Sequence, residues 1–157
     1  MRTIDIVTKV AEPVRLAETT GSANGYGYEN IHPVFQDRLV VVRDRLHVAG
    51  IKAGICVACD DWPDDVGDVV VHLGFDITDQ SLADDEDVRV VELPSVEVAS
   101  AIHRGALNDI TDTFAAVVRR IEDNGYRIDD CGRELYLQVD RENPDQNVTE
   151  LQLPITR

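Results

Sequence analysis

Lysine is almost missing from this chain: Lys9 and Lys52 are the only two, and every other basic residue is Arg. Acids outnumber bases 30 to 15, which leaves a formal net charge of −15. Such a surface repels phosphate backbones, so direct nucleic-acid binding is not expected. Aromatic residues are scarce, at 5%. No apolar run reaches the roughly 18 residues of a membrane-spanning helix, so no membrane association is expected. The opening Met1-Arg2-Thr3-Ile4-Asp5 lacks the apolar core of a secretory signal and points to the cytoplasm.

Cysteine is scarce too. Cys56, Cys59 and Cys131 make an odd count, which in a chain without a signal argues for reduced thiols. Cys56-Val57-Ala58-Cys59 matches C-x-x-C, but it lies in an apolar, strand-like run, where residues three apart face opposite ways. A zinc site needs further ligands, and no second C-x-x-C or close His pair follows. Residues 21–29 are glycine-rich yet lack both the G-K-[ST] ending of a phosphate loop and the spacing of a dinucleotide fingerprint. The acidic stretch 60–68 lacks the ligand order of a calcium loop. Neither a cofactor nor a metal is expected.

What is present is a foldable chain. With 157 residues and 43% apolar content, one domain with a proper core is expected. Residues 4–20 read as extended, with a kink at Glu12-Pro13. Asn30 can cap a helix whose apolar residues Ile31, Val34, Phe35, Leu39, Val42 and Leu46 recur at helical spacing, and Gly50 ends it. Strands over 51–60 and 68–77 should pair as a hairpin around the acidic turn. After an acidic linker the pattern restarts: an extended stretch interrupted by Pro94, then a helix capped by Asn108 or Asp109. Ile110, Phe114, Val117, Val118 and Ile121 form its apolar stripe, and Asn124-Gly125 stops it. Strands over 133–140 and 148–156 close the chain.

The chain therefore reads as a single domain over 1–157 built from two repeats, about 4–80 and about 88–157. Each runs strand, helix, strand, strand. This predicts an α+β fold: an antiparallel sheet carrying two main helices about a pseudo-twofold axis, with a ligand cleft along the joint. In the matching of the repeats, Gly54-Ile55-Cys56-Val57 falls where Gly132-Arg133-Glu134-Leu135 falls, so Cys56 stands where the second repeat has Glu134.

Glu134 is the principal candidate. In Gly132-Arg133-Glu134-Leu135-Tyr136-Leu137, the alternation puts Arg133, Leu135, Leu137 and Val139 on one face and Glu134, Tyr136 and Gln138 on the other. The first face is expected to pack on the core. An acid beside an apolar cavity gains from any ligand that brings a cation or a hydrogen bond. Tyr26 and Tyr28 on the glycine-rich loop read as aromatic flaps at a pocket rim.

The second half resembles the effector-binding domain of multidrug-sensing bacterial regulators, the GyrI-like or AraC-type effector-binding family. The resemblance is carried by Glu92-Leu93-Pro94, His103-Arg104-Gly105, the helix end at Asn124-Gly125, the stretch 132–137, and Thr149-Glu150-Leu151-Gln152-Leu153-Pro154-Ile155. The first half matches more loosely, through the repeat and the Lys9-x-x-x-Pro13 opening. The resemblance implies a duplicated fold with a central cleft, Glu134 as the acid in it, and cationic or aromatic small molecules as ligands. Tyr136, Tyr26, Tyr28, Trp62, Phe75 and His103 are the further candidate ligand-binding residues. Ala106-Leu107 stands where family members often carry Pro-Tyr, which removes one expected aromatic. No basic helical segment precedes the module, so a stand-alone member is expected. A second function is a hydrolase of reactive, cyclopropane-bearing toxins, with Glu134 as general base and Tyr136 beside it. A third is a protein-interaction module that shields a partner.

Overall fold

A computed structural model describes residues 5–25, 27–61 and 64–157. It is α+β, with antiparallel pairing in every ladder described below. Its residues divide into two compact units, one of 1–12 with 95–157 and one of 13–94. The divisions fall at the two prolines that interrupt the extended stretches, Pro13 and Pro94.

The unit of 13–94 contains β2 (Val14–Ala23), α1 (Tyr28–Ala49), β3 (Cys56–Asp60), β4 (Val69–Asp76) and β5 (Arg89–Leu93); the strand before them, β1 (Ile6–Ala11), belongs to the other unit. Its strands run β3-β4-β2-β5. The hairpin around the acidic turn forms as expected, with Cys56 opposite Phe75 and Asp60 opposite Val71. Inside that turn Asp64 Oδ1 accepts from the backbone N–H groups of Val66 and Asp68, at 2.9 Å each. Helix α1 buries Leu39, Val42 and Leu46, the three- and four-residue spacing of one helical stripe. It begins two residues before the expected cap: Gly27, not Asn30, is its N-cap. Gly50 ends it at φ 69°, in the left-handed conformation. The helix lies close on β2, because a Cβ on Gly21 would fall 2.6 Å from Val34 Cγ1.

The other unit contains β1, β6 (Val96–Arg104), α2 (Ile110–Asp123), β7 (Arg127–Ile128), β8 (Arg133–Gln138) and β9 (Val148–Thr156). Its strands run β1-β6-β9-β8, with β7 also on β9. A short 3₁₀ turn, Leu107–Asp109, leads into α2, and Gly125 at φ 76° follows its end. Val117 and Ile121 of α2 pack with Ala99, Ala101, Leu151, Leu153 and Ile155 of the sheet. Each such fully buried branched side chain contributes about 1.5–3 kcal/mol.

Two expectations are corrected here. Ala17 opposite Phe75 and Ala99 opposite Leu153 are matching positions in the two openings. Counting from them, the residue in the place of Glu134, opposite Leu151, is Ala58, opposite Leu73. Cys56 lies two residues away from that place, because the sequence matching slipped by one pleat. The thiols are not all reduced either: Cys59 and Cys131 are disulfide-bonded, while Cys56 is a free thiol pushed up to about 12 by burial. Among the described residues no helix is long and apolar enough to cross a membrane.

Candidate functional site

Residues directly opposite in an antiparallel ladder point to the same face of the sheet. Glu134 is opposite Leu151, and Tyr136 is opposite Thr149. Leu151 belongs to the core under α2, so Glu134 and Tyr136 face the helix. The expected core face is the other one, and its far end is open: Leu137 is 42% and Val139 60% exposed. Strand alternation alone sees two faces, each with apolar residues; the register decides which meets the helix. The turn of the strand also matters, since the ladder shifts between Tyr136 and Gln138.

Glu134 is half-buried and Tyr136 is buried. The Tyr136 hydroxyl donates to Glu134 Oε2 at 2.5 Å. The pair therefore places a hydrogen-bonded acid on the face whose buried residues include Leu151, Leu153, Val117 and Ile121. Gly132, two residues before Glu134, keeps this layer tight: a Cβ there would come 2.8 Å from Leu153 Cδ2 and 3.6 Å from Phe114 Cε2.

The other candidates are placed as follows. His103 is opposite Thr149, in the cross-strand row of Tyr136. It is buried, with Nδ1 2.7 Å from Thr113 Oγ1 and Nε2 2.9 Å from the Ala106 carbonyl and 3.1 Å from Asp109 Oδ1. Both ring nitrogens are engaged within the protein, which fixes the start of α2 over the row. Tyr28 opens α1, half exposed, and stacks on His32 at 4.6 Å between centroids. Phe75 is buried in β4, with the Arg43 guanidinium 5.8 Å from its ring centre. Tyr26 and Trp62 lie outside the described residues.

Three polar groups escaped the sequence reading. Asp60, noted there only as the start of the acidic stretch, ends β3 on the row of Val71 and Gly21. Burial pushes its carboxyl up to about 6; the His72 charge works against this and the Asp61 charge with it. His72 bridges Glu18 and Asp61, its Nδ1 2.9 Å from Glu18 Oε1 and its Nε2 2.9 Å from Asp61 Oδ2. Those two partners, chiefly Glu18, raise its pKa to about 9 against the effect of burial. Glu150 sits in a polar cluster with Lys9, Ser100 and Gln152. The alternation of β4 and β9 placed His72 and Glu150 on one face, but their partners come from other strands and had no sequence signal. Among the described residues no three His, Cys, Asp or Glu side chains gather to hold a metal ion.

The GyrI-like small molecule binding domain family matches residues 5–156, and the chain belongs to that family. The C-terminal domain of EcmrR superposes with a TM-score of 0.79 at 14% identity, over 99% of both chains. In an EcmrR–DNA complex the TM-score is 0.82 at 14% identity, over 98% of this chain and 58% of that one. The chain thus spans a little over half the length of that regulator. A hydrolase from Listeria innocua superposes at 0.66 with 16% identity, over 96% of this chain and 91% of that one. SAV2435, bound to tetraphenylphosphonium, does so at 0.63 with 15% identity, over 97% and 94%. No curated protein matches. At these identities the structural likenesses speak for the fold alone.

Proposed function

We propose that this small-molecule-binding protein takes cationic, aromatic ligands, with Glu134 as the acid that selects them. The observation that carries the reading is the placement of a half-buried carboxylate on the helix side of β8, hydrogen-bonded to Tyr136 in an apolar layer. An aromatic body supplies affinity by burying apolar surface, about 25 cal/mol per Å² before ordering costs. The carboxylate supplies selectivity, because it attracts a cation and gives no such gain to a neutral body of the same shape. A likeness in fold to SAV2435 bound to tetraphenylphosphonium makes that cation a suitable probe. The net charge of −15 also favours cations over phosphate backbones as partners. The test is calorimetric: Glu134→Gln should weaken tetraphenylphosphonium while leaving the neutral triphenylphosphine oxide unaffected.

The pairing of an acid with a phenol on one face, Glu134 with Tyr136, favours a second reading, hydrolysis of an electrophilic small molecule. In it the Glu134 carboxylate takes a proton from water and the resulting hydroxide adds to the electrophilic carbon. The bond that breaks leaves its electron pair on the departing atom, which is protonated by the Tyr136 hydroxyl. Turnover of a cyclopropane-bearing electrophile that survives Glu134→Ala excludes this base.

A further inference from the structure

The outward side of α1, in the 13–94 unit, carries apolar residues that the packing of the helix does not use. Leu39, Val42 and Leu46 point into the core. At roughly 100° per residue, Asp37, Val41, Asp44 and Val48 form a stripe on the opposite side. Val48 is 83% exposed. A β-branched residue is a poorer helix former than Ala, Glu or Arg, and an exposed valine gains no packing. The stability of α1 gives no reason for valine at this place.

The segment 83–88 turns the stripe into a groove. Arg45 Nε donates to Asp85 Oδ2 and Arg45 Nη2 to the Ala83 carbonyl, at 2.9 Å each. Asp85 Oδ1 accepts from the backbone N–H groups of Asp87 and Val88, at 2.8 and 2.7 Å. The segment is thus tied to the helix and held in its own turn, so the groove is built before anything enters it. It encloses about 250 Å³, with Val41 and Val48 on the helix side and the buried Val88 beneath. Three carboxylates, Asp44, Asp85 and Asp87, line it against one guanidinium, Arg45. Arg45 is spent on Asp85, which leaves the charges of Asp44 and Asp87 facing outward.

We propose that this groove docks a basic amphipathic helix of a partner protein. Its aliphatic side chains lie on Val41, Val48 and Val88, and its arginines or lysines meet Asp44 and Asp87. Charge selects this occupant. A second copy of this chain would bring the same acids to the contact, on a molecule of net charge −15, and an anionic lipid surface would be repelled as well. Long basic side chains suit a groove of this kind, because their stems cover apolar surface while their heads reach the carboxylates. Rows of side chains three and four apart are what a second helix packs against. The groove shares no residue with the Glu134 layer, so the proposal does not depend on the ligand reading above.

The test is a titration of the whole chain with a capped, alanine-based helical peptide, read on backbone amide shifts by NMR. The peptide carries Leu and Arg alternately along one face, at four- and three-residue spacing. One control replaces its Arg by Glu, the other its Leu by Ser. Saturable shifts confined to α1 and 83–88 are expected for the Arg/Leu peptide, with the Ser version about tenfold weaker, the worth of the lost apolar burial. The Glu version should not bind. Val48→Ser should weaken the Arg/Leu peptide about tenfold as well; its side chain lies in solvent, so the variant keeps the fold. Asp44→Asn should weaken it about threefold at low salt, while Asp145→Asn, an equal charge change on an exposed turn outside the groove, should leave it unchanged. Shifts spread over the whole surface, equal binding of the Ser version, or no effect of Val48→Ser would each overturn the proposal. So would a dimer of the chain that Val48→Ser dissolves, since the groove would then be covered by a second copy.

Discussion

Tyr136 donates its hydroxyl to Glu134, two residues earlier on the same strand, at 2.5 Å. Side chains two apart on a strand share a face, so the bond uses the pleat itself and needs no tertiary partner. Removing the donor leaves a half-buried carboxylate short of one hydrogen bond. Tyr136→Phe should therefore lower stability by about 1–2 kcal/mol, the range for a hydrogen bond to a charged group. Urea denaturation checks it, and an unchanged midpoint at unchanged slope would show that water replaces the phenol at no cost.

His72 gives a pH dependence of known sign. Held between Glu18 and Asp61, its pKa rises from 6.5 to about 9. A base that binds its proton more tightly when folded stabilises fully below its unfolded pKa, and that stability is lost as pH rises from 6.5 through 9. The side chain is about a quarter exposed, at 27%, which trims the contribution to about 2 kcal/mol. Wild type should thus lose about that much more stability than His72→Gln between pH 6.5 and 10. Parallel curves for the two proteins would contradict the bridge.

Asp60 works the other way. Its carboxyl, raised from 3.8 to about 6 mainly by burial, is most compatible with folding when protonated. Its contribution is present below the unfolded value and is lost as pH rises through about 6. At pH 7 the charged form is therefore a burden, and Asp60→Asn should raise stability by about 1–2 kcal/mol there while changing little at pH 4. Chemical denaturation at the two pH values decides it; destabilisation at pH 7 would mean that the carboxylate makes a favourable contact.

Gly74 marks a place where two backbones need the space of a side chain. A Cβ there would sit 2.7 Å from the Ala17 carbonyl oxygen. Backbone cannot swing aside as a long side chain can, so Gly74→Ala should cost about 2 kcal/mol or more. A thermal melt within a degree of wild type would contradict the close approach.

The fold was readable because its periodicities are local. The stripe of Val117 and Ile121, the stop at Gly125 and the full extent of β9, Val148–Thr156, follow from spacing and turn chemistry. The two prolines that interrupt the extended stretches were visible too, and they mark where the units divide. Register was less legible. Both faces of β8 carry apolar residues, so alternation could not say that Glu134 meets the helix; only the pairing with Leu151 does. The same limit misplaced Cys56 by one pleat. Glu134 and Tyr136 were visible as a pair, since they are two apart. Asp60, His72 and Glu150 were not, because what makes them chemically unusual is burial and partners from distant strands. His103 stood out as a histidine in a matching motif, but its use, clamping Thr113 and Ala106, is tertiary.

The most direct measurement is the affinity of tetraphenylphosphonium for wild type and Glu134→Gln, set against neutral triphenylphosphine oxide, by calorimetry at fixed salt. If Glu134 is the selecting acid, the cation should lose about tenfold or more on substitution and the neutral compound nothing. Equal losses for both compounds, or no loss for the cation, would contradict the account.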